Sequence, residues 1–141
     1  MELGRVGRLA RYPVKSLQGE SLEAVEVDER GLRGDRGWAA YTPDGGIGSG
    51  KTTRRFRRVD GLLHQSGALD GGAAPVRTLA SGARHRCGEP GTDAALSAAV
   101  GHTLALRPET DVRHHDEAPV HFLTTASLRQ VYRLGDAARL L

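Results

Sequence analysis

A chain of 141 residues is long enough for one domain with a real hydrophobic core and short for two. Its 38% hydrophobic and 4% aromatic content, with 19 glycines and 6 prolines, favours turns and short elements, and no window is apolar enough for a membrane span. A formal charge of +3 and a pI near 9.5 make anions the expected partners, with nucleic acid, phosphate esters and acidic surfaces all open.

Cys87 is the single cysteine, so no internal disulfide can form and nothing points to an oxidising compartment. The start, Met-Glu-Leu-Gly-Arg, lacks the apolar stretch of a signal peptide, which makes the cytoplasm the expected setting.

In chain order, Val6 to Tyr12 reads as a short strand ended by Pro13, which fixes its own φ and confines Tyr12 to extended conformations. Lys15 and Ser16 follow that turn. About twenty residues later Arg36 stands in Gly34-Asp35-Arg36-Gly37-Trp38, and an ammonium, a hydroxyl and a second cation make a plausible anion-binding set. Leu22 to Asp28 alternates Val25 and Val27 with acids, the period of a strand with one wet face. Trp38 to Tyr41 is a third strand, running into the turn Thr42-Pro43-Asp44-Gly45-Gly46.

Residues 65–91 read as loops and short strands around Ala68-Leu69 and Val76 to Leu79. Thr92 or Asp93 is placed to cap a helix carrying Leu96, Ala99 and Val100 on one face, and Gly101 to end it. His102 to Arg107 and Pro119 to Leu123 read as strands. Thr124 and Thr125 then stand where an N-cap is needed before Leu128, Val131 and Tyr132 at helical spacing, and such a helix N-terminus suits an anion.

Gly45 to Thr52 satisfies G-x-x-x-x-G-K-[ST], the pattern that cradles nucleotide phosphates between a buried strand and a helix. Its context argues for a hairpin: Pro43-Asp44-Gly45 is turn chemistry, no amphipathic stripe follows, and no apolar strand ends in an acid to hold magnesium. A nucleotide hydrolase therefore ranks last among the readings. Lys51, Arg54, Arg55, Arg57 and Arg58 surround Phe56, a composition that could track a phosphate backbone and stack a base. A solvated edge or the mouth of a small-anion pocket explains the same charges, so a non-catalytic anion or nucleic-acid binding module stands as the alternative function. His114, His115, Asp116 and His121, or His85 with Cys87, lack the spacing of a closed metal site and read as surface or packing residues, leaving no metal ligand assigned.

Three stretches occur together in order: Tyr12-Pro13-Val14-Lys15-Ser16; Gly31-Leu32 with Gly34-Asp35-Arg36-Gly37-Trp38; and Asp116 with Ala118-Pro119-Val120-His121 and Thr124-Thr125-Ala126-Ser127-Leu128. Together they resemble the MOSC family, the molybdenum cofactor sulfurase C-terminal domain proteins. The resemblance implies a mainly β fold with two short helices (α+β), a partly open MOSC-type β-barrel. Residues 1–110 would form the N-terminal barrel-like region and residues 111–141 the shortened start of the MOSC domain.

It further implies a cleft for the molybdenum cofactor (molybdopterin), with Lys15, Ser16 and Arg36 on the pterin or its phosphate and Thr125 and Ser127 supplying hydroxyl and helix-terminal contacts. Oxidoreductase or sulfur-carrier chemistry, an electron-transfer partner, and a family-level association with pyridoxal phosphate come with it; membrane and nucleic-acid partners do not. In the family a cysteine that ligates molybdenum or carries sulfur follows the Ser-Leu helix. Cys87 lies far upstream of that position, so the role does not transfer to it, the catalytic half is expected to be missing, and no catalytic residue is assigned.

Overall fold

The computed structural model of the chain describes residue 1 and residues 3–133. It is mainly β with two helices, and among the described residues the strands form four small sheets that do not close into a barrel. Strand β1 (Leu9–Arg11) pairs antiparallel with β2 (Glu20–Leu22), and β3 (Val27–Asp28) with β4 (Gly31–Leu32). The largest sheet has the order β11-β5-β6-β7, built from β5 (Trp38–Tyr41), β6 (Ile47–Ser49), β7 (Phe56–Arg58) and β11 (Ala105–Pro108). Strands β8 (Ser66–Ala68), β9 (Val76–Thr78) and β10 (Arg84–Arg86) form an antiparallel meander. Helix α1 (Thr92–Val100) packs beside β11, and α2 (Thr125–Arg133) follows a long irregular segment.

β5 is the spine because both of its faces are covered. Successive side chains of a strand point to opposite faces. Ala40 accordingly joins the main core with Val14, Leu17, Leu62, Leu96 and Leu106, while Ala39 joins Ile47 and Phe56 in a smaller one. Two consecutive alanines keep that strand narrow enough to be buried on both sides.

Several expectations change. Of Val6 to Tyr12 only Leu9–Arg11 is strand, with Val6 77% exposed, because β2 reaches no further along it. Leu22 to Asp28 splits between β2 and β3, and Val27 faces outward at 68% exposure: its alternation finds no second layer to pack against. Pro119 to Leu123 forms no strand and leaves Phe122 86% exposed. Pro119 has no N–H to give a ladder, and its carbonyl accepts Arg36 Nη2 at 2.7 Å instead.

Helix α1 starts at Gly91 in the left-handed region, without a side-chain cap. Thr92 and Asp93, the expected caps, are used elsewhere: Thr92 Oγ1 donates to the carbonyl of Arg86, and Asp93 accepts the N–H of Leu106 at 2.9 Å. Gly101 ends the helix at φ 78°, as expected. The turn at residues 42–46 is also as read, closed by the Thr42 N–H to the Gly46 carbonyl and joining β5 to β6.

Candidate functional site

The two stretches carrying the sequence-level cations lie side by side. The Arg36 N–H donates to the carbonyl of Tyr12 at 2.6 Å, the Trp38 N–H to that of Pro13 at 3.1 Å, and the Lys15 N–H returns to Trp38 at 2.8 Å. Asp35 adds a side-chain stitch, accepting the Tyr12 N–H on Oδ1 at 2.7 Å and Arg36 Nε on Oδ2 at 2.6 Å. Pro13 suits this arrangement because its carbonyl is used and its missing N–H is not needed.

Ser16 (φ 66°) and Arg36 (φ 48°) are the non-glycine residues with positive φ among those described. Each such conformation costs about 1–2 kcal/mol and persists only where the surroundings over-determine it. For Arg36 the constraint is visible. Its carbonyl accepts Arg30 Nη2 at 3.1 Å and meets His114 Nδ1 at 2.9 Å, while Arg30 Nη1 binds the carbonyl of Asp35 at 2.5 Å.

Glu109 anchors both donors. Its carboxylate takes a two-pronged contact from Arg30 at 2.8 and 2.7 Å, the N–H of His114 at 2.8 Å and Arg113 at 3.0 Å. Burial by itself would raise the Glu109 pKa, but these hydrogen bonds outweigh it and hold the group at about 2. His114 is fully buried, and burial lowers its pKa. A carbonyl can only accept, so Nδ1 carries the proton and Nε2 accepts from the Tyr41 hydroxyl at 2.9 Å. With both ring nitrogens engaged, His114 is a packing histidine.

Lys15 is 4% exposed, its Nζ 2.9 Å from Asp116 Oδ1 and 4.5 Å from the centre of the Phe56 ring. Burial lowers its pKa, opposed by the hydrogen bond to Asp116. The Asp116 carboxylate, 45% exposed, also has Lys51 at 3.7 Å. Burial would raise the Asp116 pKa; the bond from Lys15 and the charges of Lys15, Lys51 and Arg36 bring it below the ordinary value. Beside this group His115 is 9% exposed and its Nε2 has no hydrogen-bond partner among the described residues. Burial and the charges of Arg36 and Arg30 lower its pKa, so it is held neutral.

Of the residues expected at a ligand site, then, Lys15 bonds Asp116 and the charge of Arg36 acts on the same carboxylate, while Ser16 follows Lys15 in the chain with no hydrogen bond to Asp116 among the described residues; Asp116 is a residue the sequence motif contained without a role. Thr125 and Ser127 stand on α2, which is exposed along residues 125–131. Thr124 caps that helix as expected, accepting the Ser127 N–H at 3.0 Å and sharing a hydrogen bond with the Ser127 hydroxyl. Among the described residues no hydrogen bond or ion pair joins Thr125 or Ser127 to Lys15, Ser16 or Arg36.

Cys87 lies in the main core at 3% exposure, where burial pushes its pKa up to about 11 despite the nearby Arg77. The Gly45 to Thr52 pattern is occupied at its centre by β6, and no helix leaves it. Phe56 is buried at 5% exposure and offers no open face for stacking. Sequence reasoning missed Arg30 and Glu109, which meet across 79 positions with no local pattern to mark either.

The chain resembles a known protein over much of this region. It is 30% identical to mitochondrial amidoxime reducing component 2 of Bos taurus across 102 residues, covering 65% of this chain and 30% of that protein's length. The chain thus spans less than a third of that relative. No solved structure matches it. Residues 3–81, more than half of the chain and the part that holds Lys15, Ser16 and Arg36, match the MOSC N-terminal beta barrel domain, and the chain belongs to that family.

Proposed function

We propose that this chain binds the molybdenum cofactor, with Lys15, Ser16 and Arg36 holding the phosphate-bearing end of the pterin and the N-terminus of α2 contributing through Thr125 and Ser127. The observation that carries this reading is the pair of left-handed, non-glycine residues, Ser16 and Arg36, set against a buried lysine. Such strain is retained where function needs the geometry.

The donor set suits an oxyanion. A guanidinium and an ammonium in a partly buried site make charge-assisted hydrogen bonds of about twice the usual strength. Asp116 now sits where these cations converge; an incoming phosphate would take its place at Lys15, and the exposed carboxylate can turn to water. The unpartnered Nε2 of buried His115 is a further polar group beside the site. The described residues present no group of three or more His, Cys, Asp or Glu side chains that could hold a metal ion, so the fit concerns the phosphate and pterin end.

When bound, the cofactor would supply oxidoreductase or sulfur-transfer chemistry at its metal; an oxidoreductase would also need an electron-transfer partner. This chain's own residues bind and orient: Lys15 and Arg36 neutralise the ligand charge, and the Asp35, Arg30 and Glu109 contacts keep Arg36 in place. The relative's printed name, an amidoxime reducing component, supports the redox version.

The test is to produce the chain in a host that makes the cofactor, then measure bound molybdenum by mass spectrometry and pterin by fluorescence after oxidation. Wild type should retain both, and a folded Lys15→Met variant should lose both. Folded wild-type protein that retains neither overturns the proposal.

A further inference from the structure

The basic run after β6 builds a second concavity, apart from Lys15. It has a volume of about 240 Å³ and is lined by Tyr41, Asp44, Ile47, Arg54, Arg55, Arg57 and Val112 with the backbone of Gly45 and Gly46. Its charges are unevenly matched. Arg57 Nε is paired with Asp44 at 2.6 Å. Arg55 is held by the carbonyls of Arg113 and His115 and lies 5.0 Å from the Phe56 ring centre, without a carboxylate among the described residues. Arg54 has no side-chain hydrogen bond or ion pair among the described residues. Two guanidinium groups therefore face this concavity with no acid to balance them, and each presents planar, forked donors suited to an oxyanion.

We infer that this concavity is a second ligand site, one that takes a small organic phosphate. The Arg54 and Arg55 guanidinium groups grip the phosphate, and half-exposed Val112 with the partly exposed Tyr41 ring receives the organic part. A small ligand fits better than a nucleic-acid strand on two counts. The aromatic residue of the basic run, Phe56, is buried, so no base can stack on it. The volume suits a compact ligand rather than an extended backbone.

This inference goes beyond cofactor binding and stands on different residues. The test is calorimetric titration of the full 141-residue chain with phenyl phosphate and with inorganic phosphate at low ionic strength. Phenyl phosphate should bind more tightly than inorganic phosphate. Arg54→Gln, which removes a side chain that holds no other group, should weaken phenyl phosphate about fivefold to tenfold, the size of one charge-assisted contact. Lys15→Met should leave the Arg54-dependent part of that binding unchanged, and that separates this site from the cofactor site. Three results would overturn the inference: binding unaffected by Arg54→Gln, binding abolished by Lys15→Met, or equal affinity for the two phosphates. Tighter binding of oligothymidylate than of phenyl phosphate would also overturn it, in favour of a nucleic-acid surface.

Discussion

Lys15 and Arg36 differ from Arg54 and Arg55 in how their charge is managed. The first pair is nearly or partly buried, each cation bonded to an acid, and the backbone around them is strained and cross-braced. The second pair lies exposed with carbonyl partners or none, on an irregular loop between β6 and β7. The difference teaches that a basic residue's environment, not its sequence density, sets what it can do. The densest run in the chain contributes a surface concavity, while Lys15 and Arg36, from two separate stretches, stand in the braced region that is the prepared site of the proposed function.

The comparison breaks most visibly at Glu109, which braces the Arg36 side of the prepared site. Glu109→Gln should lower unfolding stability by about 2–3 kcal/mol in denaturant titration, because Arg30 would lose its buried anionic partner. The carboxyl is held at about 2 against an ordinary 4.5, so its folded-state pKa is depressed. Its stabilisation is therefore complete above about pH 4.5 and is lost as the pH falls toward 2. Wild type should weaken across that window and the variant much less; parallel curves for the two would refute the role given to Glu109.

Asp116→Asn sharpens the contrast by making the prepared site resemble the open one. It should change stability by less than about 1 kcal/mol, since a half-exposed pair contributes little. Inorganic phosphate should nonetheless bind at Lys15 about threefold to tenfold more tightly once its internal competitor is neutral. The gain should vanish in the double variant with Lys15→Met. A gain that survives there would move the site elsewhere.

The smallest effect is expected at Ser16. Ser16→Gly relieves a positive φ and should leave the denaturation midpoint unchanged or raise stability by up to about 1 kcal/mol. Cofactor retention should fall with the loss of the hydroxyl. A clear drop in stability would mean that the side chain, and not the backbone strain, dominates at this position.

Much of the local structure was legible because its causes are local. Trp38 to Tyr41 is a strand, Pro43-Asp44-Gly45 turns the chain, Gly101 stops α1, and Thr124 caps α2. The failures share one cause. Val27, Pro119 and Phe122 have apolar or extended character, but whether such residues are buried depends on a neighbouring layer that no local pattern encodes. Asp93 shows the same limit in reverse: it is a good cap in isolation, yet Leu106 and Arg107 claim its carboxylate.

By itself the sequence determined the kinds of group available: a lysine and an arginine beside turn-forming residues, a mainly β chain of short elements, and a motif order belonging to the MOSC family. Only the tertiary structure decided which charges meet. Lys15 finds Asp116 across 101 positions, Arg30 finds Glu109 across 79, and His114 reaches back to Arg36 across 78. Side-chain chemistry is fixed residue by residue, whereas burial, pairing and backbone strain arise only when distant segments are packed into one place.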